Sequence, residues 1–180
     1  MKKIVLFILM LVLVTGCNNN LMNTPTKQVE TMLNNYVTLD KKVLDDLDNT
    51  LLTETIMNND QKDRYKNILK KQYQNLAYEI KNETIDGDKA TVEVEIKVYD
   101  YYKINMASES YYNDNQDEFM GDDDTMDIVK YNDYKLDELD KAKDKVTYTL
   151  NLTLHKEDDK WILDDLTDVE ISKLHGLYAY

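Results

Sequence analysis

Few residue types in this chain could carry chemistry. The 180 residues contain one cysteine, two histidines and one arginine, against 35 aspartates and glutamates and 14 tyrosines. A single thiol cannot form an internal disulfide, and two histidines cannot build a histidine-rich metal site. Three kinds of side chain remain as candidates. The cysteine has a reactive sulfur, the carboxylates could bind a cation or act as bases, and the tyrosines could line a binding surface.

The cysteine follows a segment that is typical of an export signal. Two lysines precede an unbroken apolar run at 4–14, and Thr15-Gly16-Cys17 closes it with small residues. At about 1.5 Å per residue this run is too short to cross about 30 Å of hydrocarbon. Residues 1–16 are therefore predicted to be a signal peptide that is removed. The alternative is an ordinary secretory signal followed by a chance cysteine.

The tetrapeptide Val14-Thr15-Gly16-Cys17 resembles the lipobox of bacterial lipoproteins. The resemblance implies that Cys17 receives a diacylglycerol, that the chain is cut just before it, and that the new amino group gains an acyl chain such as palmitate. Two acyl chains make anchoring durable. We expect a lipid-anchored protein on the extracytoplasmic face of the cell membrane, with a signal peptide at 1–16, the lipidated cysteine and a polar tether at 17–23, and one domain at 24–180.

The charge of the chain excludes one class of partner. The formal net charge is −13 and the isoelectric point is about 4.5. A nucleic-acid binder needs a basic face to displace counterions from phosphates, so no nucleic-acid partner is expected. Loss of residues 1–16 removes two lysines and no acids, which leaves −15. Anionic lipids repel such a domain, so it should work close to the membrane without lying on it.

Hydrophobic periodicity predicts two helices in the first half of the domain. Thr24-Pro25 is a typical helix start, and Asn58-Asn59-Asp60 can cap a second helix. Apolar residues recur at three- and four-residue steps along both. The first helix face consists of Val29, Met32, Leu33, Tyr36, Val43, Leu44, Leu47 and Leu51, and the second of Tyr65, Ile68, Leu69, Gln72 and Leu76.

The period then changes to two, which predicts strands. A strand ending near Ile85 is followed by the turn Asp86-Gly87-Asp88-Lys89 and by an alternating strand over 90–98. A second hairpin is predicted over 146–163, with its turn at 157–160, and a short helix begins at Thr167. Helices on one face of long antiparallel strands predict the α+β class.

Two hairpin phrases carry a resemblance to a known fold. Gly87-Asp88-Lys89-Ala90-Thr91-Val92 and Lys160-Trp161-Ile162-Leu163-Asp164 resemble those of small bacterial lipoproteins with a nuclear-transport-factor-2-like domain, which is cystatin-like in the wider sense. The likeness covers about residues 24–170. It implies N-terminal helices packed on a strongly curved antiparallel sheet that forms a cone, often with an internal pocket. Members include enzymes and non-enzymatic binding domains, so the fold alone does not decide function.

A long acidic insertion separates the two hairpins. Between residues 104 and 129 there are eight acids and no lysine or arginine, interrupted by Tyr111, Tyr112, Phe119 and Met120. This is the least regular part of the sequence, apart from a charged helix predicted over 135–145. Tyr99 and Tyr101 follow the polar phase of their strand and are predicted to be exposed. The candidate binding surface is Tyr99, Tyr101, Tyr111, Tyr112, Asp122, Asp123 and Asp124, with a basic protein or peptide as its partner.

Catalysis and metal binding are weaker hypotheses. His155 lies on the polar phase of its strand beside a turn, and His175 lies in a C-terminal segment that is predicted to fray. Neither histidine has a visible partner, and acid–base catalysis needs a titratable group in a protected pocket. The acidic run lacks the spacing of a calcium-binding EF-hand loop. We therefore expect no enzymatic activity, no cofactor and no specific metal site.

The sequence favours a lipid-anchored extracytoplasmic binding domain of the bacterial cell envelope, with an unidentified ligand. One alternative is an enzyme that uses an Asp or Tyr inside the cone. Another is a structural or immunity-type lipoprotein. A homodimer through the sheet is also left open, because no residue identifies such a contact.

Overall fold

The computed structural model describes residues 23–122 and 124–180. The predicted signal peptide, Cys17 and most of the predicted tether lie outside the described residues, as does Asp123. Along this part of the chain, three helices precede the first pair of strands, further helices follow, and a second pair of strands precedes the last helix. In order they are α1 (Pro25–Thr38), α2 (Lys41–Thr53), α3 (Asn59–Gln74), β1 (Ala77–Asp86), β2 (Lys89–Tyr99), α4 (Tyr101–Asp114), a 3-10 turn (Gln116–Phe119), α5 (Ile128–Asp140), β3 (Lys145–Glu157), β4 (Lys160–Leu163) and α6 (Asp168–Leu174).

The strands form one antiparallel sheet in the order β1-β2-β3-β4. At one end Tyr99 of β2 lies opposite Lys145 of β3. A β-bulge interrupts the edge strand β1 between Ile80 and Asn82. The predicted α+β class, with helices on a curved antiparallel sheet, is confirmed.

Both hairpin turns lie where the sequence predicts them. Gly87 adopts φ +59° in the first turn, and Asp158 and Asp159 adopt +48° and +61° in the second. The left-handed pair of the second turn suits the twist of a two-residue hairpin, and aspartate tolerates this conformation better than most residues. The backbone N–H of Lys156 donates to the carbonyl of Asp88 at 2.9 Å, so the two turns are neighbours. We call this the hairpin end of the sheet, and the opposite end, at Tyr99 and Lys145, the far end.

The main core lies between the inner face of the sheet and α1. The alternation predicted for β2 and β3 is observed, because every second residue is buried there. Val92, Val94, Ile96 and Val98 have no exposed surface, and they pack with Leu150, Leu152, Leu154, Val29 and Leu33.

The first predicted helix is in fact two helices, so that prediction is wrong at its centre. The chain breaks at Leu39, which adopts a left-handed φ of +55°, and the side chain of Asp40 then caps α2 by accepting from the N–H of Lys42. The apolar period continues across the break because both helices bury one face. Val43, Leu47 and Leu51 pack on α3 and form a second small core with Leu69 and Tyr73.

The acidic insertion is also more regular than predicted, because it folds into α4, the 3-10 turn and α5. We call residues 101–144 the helical lobe. The lobe leaves the far end of the sheet and packs on α3 through a third core, which consists of Ile68, Tyr101, Leu136, Leu139 and Ala142. The charged helix predicted over 135–145 begins seven residues earlier, at Ile128, and ends at Asp140. Arg64 and Lys71 of α3 bind Asp133, Asp137 and Asp140 of α5 and hold the lobe to the helices.

Candidate binding surface

The helical lobe brings five aromatic rings together. Tyr111 and Tyr112 come from the last turn of α4, Phe119 from the 3-10 turn, and Tyr131 and Tyr134 from α5. Phe119 is 4% exposed, and its ring centroid lies 5.5–6.2 Å from those of the four tyrosines. Tyr111 and Tyr134 stack with centroids 4.9 Å apart. We call this set the aromatic cluster.

Carboxylates border the aromatic cluster and act on its hydroxyls. The hydroxyl of Tyr111 donates to Oε2 of Glu118 at 2.9 Å, and this hydrogen bond raises the pKa of Tyr111. Burial, and then the charge of Glu109, raise the pKa of Tyr131. Tyrosines are neutral at physiological pH, so the cluster offers hydroxyl groups and ring faces to a partner.

Two of the predicted carboxylates, Asp122 and Asp124, lie on the loop between the 3-10 turn and α5. Asp122 and Asp124 are exposed, and Asp124 adopts φ +59°. Its N–H donates to the carbonyl of Gly121, and the Met120–Met126 bridge closes the loop. A shallow cleft of about 500 Å³ lined by residues 113–118 contains Glu118 and two more acids, Asp114 and Asp117. Across residues 101–144, thirteen acids and five lysines give the lobe a formal charge of −8.

Two predicted surface residues lie elsewhere. The prediction that Tyr101 is exposed is wrong, since it has no exposed surface and its hydroxyl donates to the carbonyl of Ile68 at 3.2 Å. The strand alternation stops at Asp100, whose side chain caps α4, so Tyr101 belongs to the lobe core. Tyr99 is half-buried and stacks on Tyr101, with Nζ of Lys145 5.0 Å from its ring centroid.

The structure gives both histidines a partner that the sequence analysis missed. Nδ1 of the exposed His155 lies 2.6 Å from Oδ1 of Asp164. Hydrogen bonds from Thr153, and then from His155, lower the pKa of Asp164. Asp164 reaches His155 because it directly follows β4, which pairs with the end of β3.

His175 is held in place and does not fray, contrary to the prediction. It ends α6, and its Nε2 lies 2.7 Å from the hydroxyl of Tyr73. Burial lowers the pKa of His175 to about 4 and raises the pKa of Tyr73 far above 10. Both groups are neutral near pH 7, so the pair contributes a hydrogen bond without a charge.

In the described residues, the inner face of the sheet carries mainly aliphatic side chains, together with Tyr148 and Trp161. A cleft of about 470 Å³ lies between α1, α2 and the chain that follows β4, with Met32, Tyr36, Lys42, Asp46 and Leu166 among its lining. Within residues 23–122 and 124–180, three or more metal-ligating side chains do not come together at any point.

Comparisons with known proteins address the N-terminus and the overall shape. Residues 1–18 match the prokaryotic membrane lipoprotein lipid attachment site. The chain is similar to a candidate lipoprotein from Bacillus subtilis of known crystal structure, with 21% identity and a TM-score of 0.42, over 88% of this chain and 49% of that one. The comparison with curated proteins gives no match.

The lipid attachment site makes the chain a lipid-anchored bacterial lipoprotein. The matched residues include Cys17, which was predicted from the lipobox. In the described part of the chain, helices that combine the length and apolar character needed to span a bilayer are absent.

Proposed function

We propose that this lipoprotein is a non-enzymatic binding domain on the extracytoplasmic face of the bacterial membrane, anchored through acylated Cys17. Its ligand is a basic protein or peptide that docks on the helical lobe. The observation that supports this proposal is the partly exposed aromatic cluster in a lobe of formal charge −8.

The chemistry of the lobe suits a cationic peptide that carries arginine. A guanidinium group stacks on tyrosine rings and also binds carboxylates in a bidentate manner. Tyr111 is 37% exposed, and the neighbouring Ile128 and Val129 at the start of α5 are 40% and 44% exposed. Aromatic and apolar groups inside a charged border are the usual composition of a protein interface.

The domain also has features of a particular α+β fold. We propose that the domain is nuclear-transport-factor-2-like, which is supported by α1 packed across the inner face of a curved antiparallel sheet. The helical lobe is then an addition between the second and third strands.

The test is the affinity for a fluorescein-labelled nona-arginine peptide, with nona-serine as the neutral probe. The triple variant Asp122→Asn, Asp123→Asn, Asp124→Asn should weaken binding about tenfold and flatten its salt dependence, since each exposed pair contributes roughly 0.5 kcal/mol. Asparagine tolerates the left-handed φ of Asp124 as well as aspartate does.

The matched control removes three charges from the hairpin end. Asp86→Asn, Asp158→Asn and Asp159→Asn also neutralise exposed aspartates, two of them at positive φ. This variant should bind the peptide within about twofold of the unmodified protein, because its charges lie more than a Debye length from the lobe. Equal losses in both triple variants would show only general attraction to an acidic protein and would refute the lobe as the binding surface.

A further inference from the structure

The first described residues are fixed to the hairpin end of the sheet. Oδ1 of Asn23 accepts from the backbone N–H of Trp161 in β4 at 2.6 Å. Three residues later, the N–H and hydroxyl of Thr26 donate to Oε2 of Glu83 in β1 at 2.9 and 2.7 Å. The start of α1 is thereby tied to both edge strands, close to the two turns.

This fixed point limits how far the hairpin end can be from the membrane. Asn23 lies six residues after Cys17 in the chain. Fully extended, these six steps reach about 20 Å. Because Trp161 pairs with Lys156 next to the second turn, the hairpin end must stay within about that distance of an anchor on Cys17.

The helical lobe leaves from the other end of the same strands. Along β3, Lys156 lies eleven residues after Lys145. At about 3.3 Å per residue, this places the base of the lobe about 35 Å from the hairpin end. The two strands adjoining the lobe, β2 and β3, run this whole length, so the sheet separates the lobe from the hairpin end.

The distribution of charge favours one orientation of the domain relative to the membrane. The lobe carries a formal charge of −8 in its 44 residues, whereas residues 17–100 and 145–180 together carry −7 in 120 residues. An anionic leaflet repels the more acidic end more strongly. This repulsion favours the arrangement with the lobe away from the surface.

We propose that the hairpin end faces the membrane and that the helical lobe is presented at the membrane-distal end, to a basic partner that approaches from outside the bilayer. The inference deepens the proposed function and depends on the anchor at Cys17. A partner confined to the headgroup region would not reach the lobe.

The experiment uses the lipidated full chain in vesicles with 30% phosphatidylglycerol and a rhodamine-labelled lipid as energy-transfer acceptor. Single-thiol variants Glu157→Cys, beside the second turn, and Gln116→Cys, in the 3-10 turn, each carry one donor dye at an exposed site. Because transfer to a plane of acceptors decreases steeply with distance, donor quenching at Glu157 should exceed that at Gln116 at least threefold.

The other possible results of this experiment contradict different parts of the proposal. Equal quenching at the two sites, or stronger quenching at Gln116, would overturn the orientation. Failure of the lipidated chain to join the vesicles would overturn the anchor and the orientation together. Normal orientation with no nona-arginine binding would instead refute only the proposed ligand class. A twelve-residue glycine–serine insertion before Asn23 should reduce quenching at Glu157, and unchanged quenching would also count against the proposal.

Discussion

The side-chain amide of Gln72 in α3 hydrogen-bonds to both the N–H and the carbonyl of Tyr99, at the end of β2. Its Oε1 accepts from the N–H of Tyr99 at 2.8 Å, and its Nε2 donates to the carbonyl of Tyr99 at 2.9 Å. The same Nε2 donates to the carbonyl of His175 at 2.9 Å. One fully buried amide therefore joins the helices, the sheet and the C-terminal segment where the helical lobe begins.

Loss of this amide should be costly. We expect Gln72→Ala to lower the free energy of unfolding by about 3–5 kcal/mol, because it leaves three buried backbone groups unsatisfied and a cavity beside them. Urea denaturation measures the change. The neighbouring exposed Gln74 supplies the control, and Gln74→Ala should cost less than about 0.5 kcal/mol. Similar costs at the two positions would contradict the joining role of Gln72.

Two glycines test the close packing at the same place. Both Gly87 and Gly176 have positive φ, at +59° and +70°. A Cβ at Gly87 would meet no atom within 4 Å, whereas one at Gly176 would lie 2.0 Å from the carbonyl oxygen of Tyr99. Gly87→Ala should therefore cost about 1–2 kcal/mol from backbone strain alone.

Gly176→Ala should cost at least about 3 kcal/mol, since the C-terminal segment must move away from Tyr99 in addition to the strain. Chemical denaturation of the two variants side by side gives the comparison. A cost at Gly176 no larger than that at Gly87 would show that the segment is not held tightly.

The lowered pKa of His175 should make stability depend on pH. Burial lowers the pKa of His175 to about 4 from an ordinary 6.5, so between these values the unfolded chain binds a proton that the folded chain does not. The contribution of His175 to stability is therefore complete above about pH 6.5 and decreases by about 2–3 kcal/mol as the pH falls to 4. His175→Gln keeps an acceptor for Tyr73 and removes this titration.

Unfolding free energies of both proteins between pH 7 and 4 provide the measurement. The carboxylates titrate in both, so the difference between the two curves isolates His175. We expect the gap between them to change by about 2 kcal/mol across this range. A gap that does not vary with pH would mean that His175 becomes protonated in the folded protein as it does in the unfolded one.

Phe119 should hold the helical lobe surface together. Phe119→Ala removes the ring at the centre of the aromatic cluster and should destabilise the lobe by about 3 kcal/mol, whereas Phe119→Leu should cost about 1 kcal/mol. Hydrogen exchange of residues 111–134 should accelerate in Phe119→Ala, while β2 and β3 keep their protection, because the lobe core and the sheet core are separate. Acceleration throughout the sheet would contradict that separation.

Local signals explain which parts of the fold were predictable. The turn residues Asp86-Gly87 and the strict alternation of β2 predict the hairpins. The capping residues Thr24 and Asn58 predict the starts of their helices. The break at Leu39 was missed because a leucine in the left-handed region gives no compositional sign of a turn. Tyr101 was misplaced because the two-residue period was extended past Asp100, where a helix begins.

The candidate site was predictable only in part, for a related reason. Tyr111 and Tyr112 were singled out by composition, but Tyr131 and Tyr134 reach them only because α4 and α5 pack side by side. The partners of His175 and Gln72 are about 100 and 27 residues away, respectively. Contacts at such separations depend on the whole topology and leave no trace in local spacing.

The bulge in β1 bears on how this lipoprotein behaves at high density. β1 is an edge strand, and an edge of regular, unpaired N–H and C=O groups would recruit a strand from another copy. Between Ile80 and Asn82 the bulge interrupts that row, and Lys81 with Glu79 places opposite charges beside it. Lipid anchoring confines copies to two dimensions and raises their encounter rate. An edge that is bent and charged therefore protects the crowded protein from strand-by-strand aggregation.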